Sequence, residues 1–401
     1  MTRRRGLVTA AVGCGAILLT TGMAWHPASG ATSESEVSDA LAVEAATPDL
    51  LRTEAEARVA AMSTREKAAS LVMGHLPTTD PAALRAYMES SGIGGFILMG
   101  ANIPATEGEL RGITDALTVD SVFPPLLAID QEGGDVSRIP WDDFPSALAL
   151  KDLPAAESEL AFAGRAALIQ RAGIGVNFGI VADVTADSGM FIYRRALGTS
   201  PPASAERVSA AVLGEGDSAA STLKHFPGHG AAPGDSHSTI PSTPMSKEQW
   251  MSADAVPFTA GIEAGAPLLM YGHLDYPAID AAPASMSAEW HRIAREELGF
   301  EGISITDDLG MLQASGLPEY QDPVATAVAA IAAGNDMVLT VVFSNAETAP
   351  RTVDGIVAAV VSGALSGTRL DDAAIRITKL RLDLAAAGRG LVPCAECSPA
   401  G

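Results

Sequence analysis

The sequence predicts an α/β fold, a single closed (β/α)8 barrel, and three observations predict it. Eight short apolar runs rich in Val, Ile and Leu lie at Ser70–Met73, Gly94–Met99, Pro125–Asp130, Gly175–Asp183, Ser221–His225, Pro267–His273, Gly302–Asp307 and Asp336–Val342, each bounded by Gly or Pro. Ala-rich segments with helical spacing separate most of them, among them Ala156–Ala172, Ala205–Leu213, Lys247–Ala264 and Ser287–Leu298. Continuous apolar strands that alternate with helices imply a parallel sheet covered on its faces. Eight such units over roughly 300 residues fit a closed barrel better than a doubly wound open sheet, the alternative architecture. No Gly-x-Gly-x-x-Gly follows the first strand and no Gly-x-Ser-x-Gly elbow occurs, so the open sheet lacks its usual signatures. Helix-like Leu50–Met62 opens the folded part and Leu370–Gly388 closes it, with no internal repeat and no second domain in between.

Composition sets further bounds. The 401 residues are 47% hydrophobic and 18% charged, enough for a large core and too apolar for a disordered chain. Acidic residues number 48 against 26 basic ones, a net charge of −22, and a surface so acidic repels phosphate backbones. No nucleic-acid partner is expected.

The first residues stand apart. Arg3, Arg4 and Arg5 precede an uncharged stretch from Gly6 to Trp25, then Ser29-Gly30-Ala31, which describes an export signal over residues 1–31 with a cut near Ala31. An uncleaved anchor is the alternative. Cys14 offers a lipidation site, but the apolar run continues well past it, which favours plain export. Residues 32–48 lack sustained periodicity and are expected to be a flexible acidic linker, followed by the barrel at 49–390. The tail 391–401 carries Cys394 and Cys397, expected to be a terminal disulfide or two idle thiols, since no strand-to-helix junction surrounds them. The expected setting is outside the cytoplasm, secreted or associated with the cell envelope, as a monomer.

In a barrel the chemistry gathers at the carboxyl ends of the strands. The third run ends in Asp130-Gln131-Glu132-Gly133-Gly134, and the fourth is followed by Asp183 and then Arg194-Arg195. The fifth ends in Lys224-His225-Phe226-Pro227-Gly228-His229-Gly230, with Asp235-Ser236-His237 beyond it. His273 closes the sixth and Asp307-Asp308 the seventh. Gly and Pro at the density of 224–237 prescribe an irregular, partly mobile loop. Asp235 and His237 can meet only if that loop turns. If they do, the carboxylate orients the imidazole and stabilises its cation. His225, His229, Asp235 and His237 are also metal-ligand types, but Pro227-Gly228 break the helix that a His-x-x-x-His pair needs. Neither metal nor cofactor is expected. Asp307 follows its strand directly and is the candidate for the barrel mouth, while Asp308 begins the turn and suits a helix cap. His273 reads equally as a packed core imidazole or as a lining residue.

Together these segments resemble glycoside hydrolase family 3, over roughly residues 60–385, and most closely its single-domain β-N-acetylhexosaminidase branch. The Lys224–Gly230 run with Asp235-Ser236-His237 carries the likeness, supported by Ile129–Gly134 and by Ile305-Thr306-Asp307-Asp308-Leu309. The resemblance implies Asp307 as nucleophile, His237 as general acid and then base, and Asp235 as the group orienting it. It implies that Asp130, Arg195, Lys224 and His225 bind the sugar. The substrate would be a terminal β-linked N-acetylglucosamine on peptidoglycan fragments or chitin oligosaccharides, cleaved with retention. The sequence departs from the family at Asp135, where Arg is usual, at Gly179-Ile180, and at Ala196-Leu197 through Pro201. These changes leave the three catalytic candidates intact and put the pocket for the N-acetyl group in question. A β-glucosidase or glycoside phosphorylase on the same barrel, and a non-catalytic saccharide-binding protein, are the competing readings.

Overall fold

In the computed structural model, which describes residues 50–387, all eight apolar runs form strands. They are β1 (Val72–Gly74), β2 (Gly95–Leu98), β3 (Leu126–Ile129), β4 (Val176–Val181), β5 (Ala220–Phe226), β6 (Leu268–Tyr271), β7 (Ile303–Asp308) and β8 (Met337–Leu339). Every neighbouring pair is parallel, and β8 returns to β1 through Val72 opposite Val338, which closes the barrel. The strands are buried almost throughout, as their unbroken apolar character requires. The expected export segment, the linker and the tail cysteines lie outside the described residues. Among the described residues no helix is long and apolar enough to cross a membrane.

The helices follow the sequence closely at most points. Residues 50–61 form the opening helix and Gly367–Ala387 the closing one. Helices Ala155–Arg171, Pro201–Glu215 and Ala255–Glu263 pack side by side over β4 and β5. Two segments depart from expectation. The helix expected over Lys247–Ala264 is broken into Lys247–Ser252 and Ala255–Glu263. The break lets Trp250 donate its indole N–H to the Pro227 carbonyl at 2.8 Å and buries the Asp254 carboxyl against Gly228, tertiary ties that a continuous helix would forgo. The segment Ser287–Leu298 begins as helix Ala288–Arg292 and widens into a π-type turn, Ile293–Glu297.

A two-stranded hairpin, Gln131–Gly133 with Val136–Ser137, follows β3 and was not anticipated. Its signal is Gly133-Gly134, both left-handed at φ 82° and 75°, the backbone that a tight hairpin turn demands. A side chain at Gly133 would also run into the Arg165 guanidinium. That guanidinium is buried, pairs with Asp142 at 2.9 Å and donates to the carbonyls of Phe144 and Pro145. Gln131 stitches the hairpin from within, accepting from the backbone of Arg138 and Ile139 and donating to Ser137 and Asp142.

Asn177 on β4 ties this hairpin to the barrel. Its amide oxygen accepts from the Gln131 N–H at 3.0 Å, and its nitrogen donates to the Gln131 carbonyl and to Glu215 at 2.5 Å. Burial pushes the Glu215 carboxyl up to about 8, against the opposing effects of the Asn177 bond and the Arg165 charge. The folded state therefore keeps a proton that the unfolded chain releases near its ordinary value of 4.5. Stability drains as pH rises between those two values. Glu215→Gln should remove that slope, so urea midpoints at about pH 5 and pH 8 should diverge for the wild type more than for the variant.

Candidate active site

The carboxyl ends of β3, β4 and β5 deliver a ribbon of alternating charge across the barrel mouth. Lys224, near the end of β5 and 3% exposed at its side chain, places Nζ 3.0 Å from Asp130 and 2.7 Å from Glu132. Burial alone would strip its proton, but the two carboxylates outweigh that and hold the lysine above its usual range. Asp130 takes a second cation, Arg138, at 3.0 Å. Desolvation opposes its charge, yet Lys224 and Arg138 hold it well below the ordinary carboxylate range. Glu132 accepts both Nε and Nη2 of Arg195, at 2.9 and 2.7 Å, a bidentate fork.

The ribbon continues through imidazoles. Arg195 Nη2 lies 3.3 Å from His225 Nε2, and His225 Nδ1 lies 2.7 Å from the buried Asp183. An ionised carboxylate can only accept, so Nδ1 carries the proton that points at Asp183. Asp183 also accepts the backbone N–H groups of His225 and, at 2.6 Å, His229. The Lys224–His225 and Phe226–Pro227 peptide bonds are cis.

Asp307 stands at the end of β7, half-buried, with Oδ1 accepting the Asp308 N–H at 2.8 Å. Desolvation pushes its carboxyl up, and the nearby His225, His273, the Asp308 N–H and Lys224 together bring it below the ordinary value. It is an anion at neutral pH. Asp308 caps the helix Leu309–Ala314 through the Gly310 N–H and reaches the N–H groups of Val341 and Val342, both at 2.8 Å. Buried His273 donates from Nε2 to the Asp308 carbonyl at 2.8 Å and meets the Ser285 hydroxyl at Nδ1, 2.7 Å away. The imidazole that the sequence left undecided is thus a packed one that braces the peptide following Asp308.

The loop after β5 has a buried root and an exposed tip. Trp250 and Tyr276 bind the carbonyls of Pro227 and Gly228, at 2.8 and 2.6 Å. Gly230 is required because a side chain there would strike the Val184 carbonyl. At the tip the backbone does turn. His237 Nδ1 lies 2.6 Å from Asp235 Oδ1, which also accepts the His237 N–H at 3.0 Å. The Phe191 ring lies at this rim, 5.5 Å from both His237 and His229. Among the described residues no hydrogen bond or ring contact joins His237 directly to Asp307.

The structure thus gathers Asp130, Arg195, Lys224 and His225 into one network, sets Asp307 beside it, and pairs Asp235 with His237 at the rim. Sequence reading passed over Glu132, the carboxylate shared by Lys224 and Arg195, and Phe191. Glu132 lay in view within Asp130-Gln131-Glu132, but nothing linear says that it faces a lysine on a later strand. The departure at Asp135 has a partner too, for Arg194 binds it at 2.6 and 3.0 Å. Among the described residues no three His, Cys, Asp or Glu side chains converge as a metal site would need.

An ionised carboxylate and a carboxylate-backed imidazole at a barrel mouth can supply a nucleophile and a proton donor, the two roles that glycoside hydrolysis with retention needs. The chain belongs to glycosyl hydrolase family 3, whose N-terminal-domain model matches residues 63–380. It is 33% identical over 283 residues to a beta-hexosaminidase of Stenotrophomonas maltophilia, covering 67% of this chain and 82% of that one. A Pseudomonas aeruginosa beta-hexosaminidase is 36% identical over 253 residues, covering 61% and 74%. Among solved structures, the Beutenbergia cavernae β-N-acetylhexosaminidase superposes with a TM-score of 0.71 at 28% identity, over 80% of this chain and 98% of that one. A family 3 β-N-acetylglucosaminidase from a Paenibacillus species gives 0.74 at 28% identity, over 84% of this chain and 65% of its own.

Glu132 is the joint of the ribbon. Glu132→Ala leaves two buried cations with too few counter-charges and should cost about 3–5 kcal/mol of unfolding free energy, read from denaturant midpoints.

Proposed function

We propose that this chain is an exported, retaining exo-β-N-acetylglucosaminidase that removes terminal β-linked N-acetylglucosamine from peptidoglycan fragments or chitin oligosaccharides. The observation that carries the reading is an ionised Asp307 at the end of β7 in a barrel whose loop after β5 carries an Asp235–His237 dyad. Relatives named beta-hexosaminidase and β-N-acetylglucosaminidase support the choice of sugar. The basic start and uncharged run within residues 1–31 support export.

The mechanism follows from the groups present. Asp130, Arg195, Lys224 and His225 hold the hydroxyls of the terminal sugar, with Lys224 and Asp130 fixed against each other and so unable to drift. An Asp307 oxygen attacks the anomeric carbon while the glycosidic C–O bond breaks, and a covalent glycosyl–enzyme forms. Nδ1 of His237 is engaged by Asp235, so Nε2 delivers the proton to the departing oxygen. His237 then takes a proton from water, the resulting hydroxide displaces Asp307, and the configuration at the anomeric carbon is restored. Most retaining glycosidases use a second carboxyl for the proton. Here imidazole does that work, and Asp235 fixes its tautomer and orientation through Nδ1.

The reading predicts hydrolysis of a chromogenic β-N-acetylglucosaminide, insensitive to EDTA. A 2-fluoro glycosyl fluoride should trap the intermediate, with peptide mapping placing the label on Asp307. A label elsewhere, or a wild-type protein inert on all β-linked aryl glycosides, would sink it. His237→Ala should lose about 10²–10⁴ in kcat/KM on substrates whose leaving group needs a proton, equal to about 3–5 kcal/mol of transition-state stabilisation. On a glycosyl fluoride the loss in the first step should be much smaller. Turnover with and without phosphate separates hydrolysis from phosphorolysis.

A further inference from the structure

The segment after β4 is pinned around one apolar side chain that remains in solvent. Ile192 is buried with Val181 and Ala196. The Lys151 ammonium covers the Tyr193 ring at 3.6 Å. Arg194 is forked onto Asp135, and Arg195 onto Glu132. Phe191, directly before these four, is 37% exposed. Its ring stands edge-to-face with His237 at 5.5 Å, tilted against His229 at 5.5 Å, and 5.7 Å from the Arg195 guanidinium. A fixed backbone and a solvent-facing aromatic ring together make a surface, since the ring's place is set although no core covers it.

Its place relative to the chemistry decides what that surface meets. The glycosidic oxygen must come to His237, and the sugar being cleaved lies toward Arg195 and Lys224. The group attached to the far side of that oxygen then lies along the rim, where Phe191 stands. The C–H face of a pyranose ring is apolar and weakly positive, which suits the negative face of an aromatic ring. Resting on the hydrolase reading above, we propose that Phe191 is the leaving-group platform of this enzyme. It stacks on the sugar ring that departs and makes the enzyme prefer aglycones that carry a ring.

The test compares two substrates that both need a proton from His237 but differ in whether the leaving group is a ring. These are the β-linked disaccharide of N-acetylglucosamine and methyl β-N-acetylglucosaminide, followed in single turnover with enzyme in excess. Phe191→Ala should lower kcat/KM on the disaccharide by roughly 3- to 10-fold, the range of one aromatic stacking contact. On the methyl glycoside the change should stay within about twofold. Phe191→Trp should restore the disaccharide rate, and the thermal midpoints of both variants should match the wild type. Equal losses on both substrates would mean that the ring merely holds His237, and would overturn the proposal, as would no loss on either. A wild type that turns over neither substrate would instead remove the hydrolase reading and the platform with it.

Discussion

The ammonium of Lys224, taken out of water and held between Asp130 and Glu132, is the interaction on which the site depends. A buried lysine without counter-charge would release its proton, and either carboxylate alone would be drawn toward neutrality by the same burial. Together they keep one another charged. Each carboxylate also takes an arginine, Arg138 on one side and Arg195 on the other, so charge alternates along the mouth. Strands β3 and β5 and the segment after β4 are thereby fastened at the barrel mouth by contacts that cannot be exchanged singly.

Asp307 belongs to a different support. The residue that follows it is braced at its carbonyl by His273, just after β6, while the Asp308 carboxylate reaches over to the backbone after β8. The nucleophile candidate is therefore set by β6, β7 and β8, and the sugar-binding candidates by β3, β4 and β5. Closure of the barrel is what makes the two halves face each other. Neither half holds a complete site.

Much of this was legible in the linear sequence because it rests on local rules. Eight apolar runs bounded by Gly and Pro became eight strands, and the charged residues just beyond them became the mouth. Asp308 behaved as the cap its position suggested. What escaped was set by contacts between distant segments. Glu132 is three-dimensional in meaning, since its role exists only once Lys224 lies opposite. The break at Ala253–Asp254 arises because Trp250 must reach Pro227, a tie that helical periodicity does not record. The hairpin after β3 was announced by Gly133-Gly134, yet its strands are too short to show alternation.

Asp235 sits two residues from His237 and grips both its ring and its backbone N–H. The imidazole and its carboxylate are therefore held as one cassette, spanning three residues of loop, that any movement of the tip would carry without dismantling it.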